Sequence, residues 1–236
     1  MTDIAANLAA IDARIGAACE RAGRRRDEVR LLPVSKTRPA SDVLAAQAAG
    51  YTRFGENRVQ EAEAKASEVA EAGGVGVTWA VIGHLQTNKA KQLVRFADEF
   101  QALDSAKVAA ELDKRLDAAD RTLEVLLEVN TSGEESKFGV SPAHVVAFAR
   151  ELRSFERLDV RGLMTIATNT SDADRVGACF DDLAGLRQRL RDELGGDYPE
   201  LSMGMSGDFE LAIARGATCV RIGTAIFGAR PPLPKR

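Results

Sequence analysis

A (β/α)8 barrel, one domain of the α/β class, is the fold this sequence predicts. Short β-rich runs alternate with Ala- and Leu-rich helical segments along the chain, the pattern of successive βα units feeding a parallel sheet. The 236 residues, 45% of them hydrophobic, suit eight such units and are too many for most simple sandwiches. Small and polar residues also collect where the β-rich runs end, which is where barrels of this kind carry their chemistry.

The elements follow in order. An amphipathic helix over residues 1–22 comes first, its apolar stripe made by Ile4, Leu8, Ile11 and Ile15. Strands are expected near residues 31–36, 52–55, 79–83, 99–103, 123–129, 158–164, 200–204 and 219–222, with helices between them. Gly50 and Gly216 stand where a helix should stop on a left-handed residue, and Ser141-Pro142 reads as an N-cap followed by a first-turn proline. An internal echo supports repeated units: Ala49-Gly50-Tyr51-Thr52-Arg53-Phe54-Gly55 and Arg215-Gly216-Ala217-Thr218-Cys219-Val220-Arg221-Ile222-Gly223 each run helix end, turn, strand and glycine. No linker divides the chain, so residues 1–236 are expected to form one domain with a flexible, proline-rich tail over 230–236.

Composition narrows the function classes. Net charge is −3 with acids and bases interspersed, which leaves no field to draw in nucleic acid or an anionic membrane. The one basic cluster, Arg21, Arg24, Arg25 and Arg26, follows the first helix and reads as a solvated helix end, with no aromatic residues interleaved to stack on bases. Cys19, Cys179 and Cys219 are widely spaced and odd in number, which argues against a disulfide framework or a zinc site. No apolar run reaches the length of a membrane span, and the N-terminus lacks the order of a signal peptide. A cytoplasmic monomer is expected, with neither a metal, a nucleic-acid nor a membrane partner.

Chemistry enters with Lys36, which closes the apolar run Leu31-Leu32-Pro33-Val34-Ser35-Lys36-Thr37. Desolvation lowers the pKa of a lysine and makes it a nucleophile able to form a Schiff base with a carbonyl, although a lysine just past a strand also suits a side chain snorkelling to water. At the ends of the last two strands, Ser206-Gly207-Asp208 and Gly223-Thr224 put small residues and hydroxyls where barrels hold phosphate; simple capping is the plainer alternative. In that cradle Asp208 should face away and serve its own helix. Arg221 is out of phase with Val220 and Ile222, so it points into the barrel, where it must pair or hydrogen-bond, with an acid such as Glu128 as one candidate. One ligand answers to all three features. Pyridoxal 5′-phosphate has an aldehyde for Lys36, a phosphate for the cradle and a ring nitrogen for Arg221.

The chain resembles the pyridoxal phosphate homeostasis proteins, whose barrel is similar to the N-terminal domain of alanine racemase. The resemblance spans nearly the whole chain: Val34-Ser35-Lys36-Thr37, Phe54-Gly55-Glu56-Asn57-Arg58-Val59-Gln60-Glu61, Ile82-Gly83-His84-Leu85-Gln86-Thr87-Asn88-Lys89, Gly133-Glu134-Glu135-Ser136-Lys137-Phe138-Gly139, Gly162-Leu163-Met164-Thr165-Ile166, Leu201-Ser202-Met203-Gly204-Met205-Ser206-Gly207-Asp208 and Arg221-Ile222-Gly223-Thr224. It implies that Lys36 carries the cofactor as an internal aldimine, that Ser206, Gly207, Gly223 and Thr224 hold its phosphate, and that Arg221 faces the ring nitrogen. Asn57, His84 and Met164 are implied as pocket residues. Trp79-Ala80-Val81 departs mildly from the family pattern without touching a cofactor contact.

An arginine at the ring nitrogen makes a poor electron sink, and racemisation needs a second acid/base on the face opposite the lysine. In the racemase that group comes from an additional β-domain, which is not expected here. The resemblance therefore implies a carrier and regulator of vitamin B6 pools, non-catalytic, with apo forms of PLP-dependent enzymes as transient partners. A low-activity amino-acid racemase and a lysine Schiff-base aldolase are the alternatives. A serine hydrolase is disfavoured, because Gly204-Met205-Ser206-Gly207-Asp208 lacks the final glycine of a nucleophile elbow and His84 and His144 are the available bases.

Overall fold

Strands and helices alternate through the computed structural model, which describes residues 2–229. In chain order they are α1 (Ile4–Arg21), β1 (Arg30–Pro33), α2 (Ala40–Ala48), β2 (Arg53–Glu56), α3 (Val59–Glu71), β3 (Thr78–Val81), α4 (Ala90–Phe96) and β4 (Glu99–Leu103). There follow α5 (Ala106–Asp117), β5 (Leu123–Glu128), α6 (Val145–Leu152), β6 (Leu158–Met164), α7 (Ala173–Leu194), β7 (Glu200–Ser202), α8 (Phe209–Ala214), β8 (Cys219–Ile222) and α9 (Thr224–Phe227). The tail expected over 230–236 lies outside the described residues.

All eight strands pair in parallel in the order β1-β8-β7-β6-β5-β4-β3-β2. The ring closes at a narrow seam: a single bridge joins Val34 to Gly55, and the Ser35 N–H donates to the Gly55 carbonyl at 3.0 Å. A side chain at Gly55 would crowd the Leu32 and Val34 side chains at 3.3 Å, so the glycine lets the seam close tightly. Residues expected to continue the first strand through Lys36 instead change partner here. Pro33 still pairs with Ile222 of β8, but Val34 turns to β2, and the regular strand ends three residues before Lys36.

The core has two shells. Outside the barrel, the helices pack their apolar stripes on the strands, and α1 fills the outer ring against α2, α8 and α9 with Ile4, Leu8, Ile11 and Ile15 buried as expected. Asp3 caps α1 by accepting from Ala6 N–H at 2.9 Å, and Asn7 ties the helix to the Ile226 carbonyl at 2.8 Å. Gly50 and Gly216 sit at φ 95° and 93°, the left-handed stops expected of them. The arginine cluster is more than a solvated end. Arg24 donates to the carbonyls of Ile213 and Ala217 at 3.0 and 2.8 Å, because the chain after α1 lies against the end of α8. Ser141 precedes one 3-10 turn, Pro142–His144, and its hydroxyl meets His144 Nδ1 at 2.8 Å instead of capping backbone.

Inside the barrel, polar groups form a connected column. Glu99, 2% exposed, receives Arg30 at 3.1 Å and Arg53 at 2.9 Å; burial alone would raise its pKa, but these guanidiniums hold it below the ordinary carboxylate value. Gln101 donates to Glu99 at 2.6 Å, Ser202 donates to Gln101 at 2.7 Å, and Arg221 donates to Ser202 at 2.7 Å. Each side chain of this column thus bonds to the next, which is what makes these polar residues tolerable in the interior. The column runs from the strand beginnings to the strand ends, where the site lies.

Candidate functional site

A cavity of about 500 Å³ opens at the C-terminal ends of the strands. Lys36, Asn57, His84, Ser206, Gly207, Arg221, Gly223 and Thr224 all line it, so eight residues contributed by five separate loops or strands converge as the sequence reading expects. Met164 does not. It is fully buried in the apolar core at the end of β6, opposite Glu128 and Ser202 in the ladder, and is not among the cavity-lining residues. Its place in the resemblance rests on a strand end, and the residue two further on, Ile166, is the one that reaches the cavity.

Lys36 stands half-buried, just past the seam. Its Nζ lies 3.4 Å from Asn57 Oδ1, and Asn57 is held from below by Gly83, where an added Cβ would come within 2.3 Å of the Asn57 carbonyl oxygen. The backbone beneath Lys36 is anchored by a buried network. Ser35 donates to Glu56 at 2.6 Å, Lys65 donates to the same carboxylate at 2.6 Å, and Lys65 also donates to the Ser35 carbonyl at 2.7 Å. Thr37, the next residue, takes a left-handed φ of 63°, uncommon for a β-branched side chain, and its N–H is met by the Glu61 carboxylate.

On the far side, Ser206 and Gly207 follow β7 and Gly223 and Thr224 follow β8. The helices they open are short, six and four residues, so a macrodipole contributes little. What the loops offer is local: hydroxyls and N–H groups from two small-residue turns. A Cβ at Gly223 would crowd the Val34 carbonyl oxygen at 3.0 Å, so the turn packs closely on the strand before Lys36. Asp208 is not among the lining residues, as the cradle demands, but it does not cap α8. Its carboxylate reaches back to the Met205 N–H at 2.6 Å and so closes the loop that carries Ser206 and Gly207.

Arg221 lines the cavity from within the barrel at 4% exposure. Its Nη1 and Nη2 donate to Ser202 Oγ at 2.7 Å and to the Thr165 carbonyl at 2.8 Å, so neutral acceptors orient it in place of the ion pair with Glu128 that the sequence left open. Burial lowers its pKa, with Glu128 among the charges that oppose the shift. His84 stacks flat on Phe138, centroids 3.8 Å apart, and its Nδ1 lies 3.3 Å from Asp104. Sequence reasoning missed Phe138, Ile166 and Arg38 as lining residues, and saw Glu128 solely as an arginine partner. The signal for Glu128 was its position as an acid closing the apolar run Val125-Leu126-Leu127 at the end of β5.

Pyridoxal 5′-phosphate fits this set. The cavity brings together an amine, a cradle of hydroxyls and small residues, and a buried cation held by neutral acceptors.

A lysine at the strand ends of a parallel barrel, facing a small-residue cradle, defines a barrel of the alanine racemase N-terminal class, and the chain matches the family described as "Alanine racemase, N-terminal domain" over residues 6–231. More narrowly, the chain belongs to the pyridoxal phosphate homeostasis protein family. It is 44% identical over 231 residues to the pyridoxal phosphate homeostasis protein of Pseudomonas aeruginosa, covering 98% of this chain and 97% of that one. It is 42% identical over 234 residues to that of Vibrio cholerae, covering 98% of each. Among solved structures it is similar to PipY of Synechococcus elongatus with PLP bound, at TM-score 0.82 and 35% identity over 95% of this chain and 100% of that one. An alanine racemase of Clostridium difficile, at 15% identity and TM-score 0.75 over 98% of this chain and 58% of that chain, shares the fold.

Proposed function

We propose that this chain binds pyridoxal 5′-phosphate through Lys36 and acts as a carrier that buffers the intracellular vitamin B6 pool, with effects on amino-acid and keto-acid balance. The observation that carries the reading is the convergence of Lys36, Arg221 and the Ser206-Gly207 and Gly223-Thr224 turns on one cavity. The names of the relatives and the PLP bound in PipY agree with it. When bound, the cofactor supplies an aldehyde for a primary amine and a ring that can withdraw electrons from an attached group.

The residues divide the work. Lys36 provides the amine, and Asn57 keeps that amine over the cavity floor. Ser206, Gly207, Gly223 and Thr224 bind phosphate through hydroxyls and backbone N–H groups. Arg221 keeps its own proton and so offers the ring nitrogen a hydrogen bond without protonating it, which favours holding the cofactor over activating it. Three buried thiols, Cys19, Cys179 and Cys219, suit a reducing cytoplasm, where apo-enzymes would be the transient recipients.

A second reading, slow amino-acid racemisation, draws on His84 and Glu128, which put acid/base groups in the same cavity as Lys36. The absorption spectrum of the purified protein tests the first reading: a visible or near-visible band that borohydride removes supports it, and a colourless protein that takes up no added cofactor overturns it. Solvent deuterium appearing at the α-carbon of alanine or serine with inversion would instead favour the racemase, whereas negligible inversion is expected.

A further inference from the structure

Glu128 has no part in holding the cofactor in the carrier reading, yet it lines the cavity at 7% exposure. A smaller pocket of about 170 Å³ shares Glu128, Phe138 and Ile166 with it, so this carboxyl stands in the wall between two spaces. Its Oε2 is fully buried, and among the described residues no group hydrogen-bonds it. A buried polar atom without a partner is rare in a native protein and calls for one.

The neighbouring charges explain what form the carboxyl takes. Arg221, from β8, is the cation that acts on it, but two of its donors go to Ser202 and Thr165. Asp104, from the end of β4, is a second acid and repels a charge on Glu128; Lys36 and His84 share the same cavity. Burial first, then Asp104, push the Glu128 pKa up to about 7 against the pull of Arg221. A carboxyl in that state is a donor as well as an acceptor.

We propose that Glu128 is a ligand-contacting residue, which donates a hydrogen bond from its carboxylic acid to an acceptor atom on the ring edge of the bound cofactor. The inference rests on the cofactor reading above. It assigns Glu128 to the ring, where Lys36 serves the aldehyde and the β7 and β8 loops serve the phosphate.

The test is a direct titration of the purified apo-protein with pyridoxal 5′-phosphate, followed by absorbance, for wild type, Glu128→Gln and Glu128→Ala. Glutamine keeps the shape and an N–H donor, so its affinity should stay within about threefold of wild type; alanine should lose on the order of tenfold, as for one hydrogen bond to a ligand. Infrared difference spectra should show a carboxylic-acid C=O stretch that is absent from Glu128→Gln and that shifts when the cofactor loads. Equal affinity of all three proteins, or equal loss in Gln and Ala, overturns the donor role. So does a carboxylic-acid stretch that is missing at pH 6 or unmoved by loading. If Glu128→Ala does not fold, the infrared comparison with Glu128→Gln decides alone. Failure of wild type itself to load refutes the cofactor reading, and this inference with it, which separates that outcome from the others.

Discussion

Lys65 of α3 donates to the carbonyl of Ser35 at 2.7 Å, so a buried lysine of the outer helical layer fixes the residue that precedes Lys36. The same Nζ sits 2.6 Å from the Glu56 carboxylate, itself 0% exposed, and 3.2 Å from Glu61. These bonds lie at the seam where a single bridge joins Val34, just past β1, to β2, so side chains stitch the barrel where backbone pairing is thin. Burial raises the Glu56 pKa and Lys65 opposes that rise.

Lys65→Met should therefore be severe. Removing one partner of a buried pair leaves the other uncompensated, at about 3–5 kcal/mol. Urea unfolding of the variant should show that loss, and cofactor loading at Lys36 should weaken with it as the Ser35 backbone is released. A loss below about 1 kcal/mol would mean that the network is not what holds the seam.

Thr37 has the opposite expectation. Its left-handed φ of 63° is strained for a β-branched residue, so Thr37→Gly should stabilise the fold by roughly 1 kcal/mol after the entropy of glycine is subtracted. A raised denaturation midpoint at unchanged slope is the expected reading, and a lowered one would show that Thr37 makes compensating contacts.

Glu128 gives a pH signature. Its folded pKa of about 7 lies above the ordinary 4.5, so between those values the folded state holds a proton that the unfolded chain has released. Its contribution to stability is thus complete below about pH 4.5 and is lost as pH rises through 7, by up to about 3 kcal/mol at pH 8. Glu128→Gln removes that dependence. Relative to wild type, the variant should gain stability from pH 5 to about pH 7 and level off above it in urea titrations, and a parallel pair of curves would contradict the assignment.

At the phosphate end, Ser206→Ala combined with Thr224→Val should weaken cofactor binding by one to a few kcal/mol, the size of hydrogen bonds to a charged group. Unchanged affinity in a direct titration would move the phosphate elsewhere.

Much of this was legible in the sequence, and the exceptions have physical reasons. Strand ends carried the site because small and polar residues there interrupt apolar runs, which is how Lys36, the β7 and β8 turns and the inward phase of Arg221 could be read. Met164, implied as a pocket residue by the resemblance, is buried in the core, because the face a strand-end side chain takes depends on register, and β5 and β6 shift register between Val125 and Leu126. The Lys65–Glu56–Ser35 network was invisible, since it joins three elements, and a lysine on an amphipathic helix reads as solvated until the seam places it. Phe138 lies on a loop whose approach to His84 no periodicity encodes.

The central claim is that Lys36 is the attachment point. It is tested most directly by reducing the cofactor-loaded protein with borohydride, digesting it and locating the pyridoxyl group by mass spectrometry. The modification is expected on the peptide containing Lys36 and should be lost, with the absorbance band, in a folded Lys36→Ala protein. A pyridoxyl group on another lysine, or an undiminished band in Lys36→Ala, would contradict it.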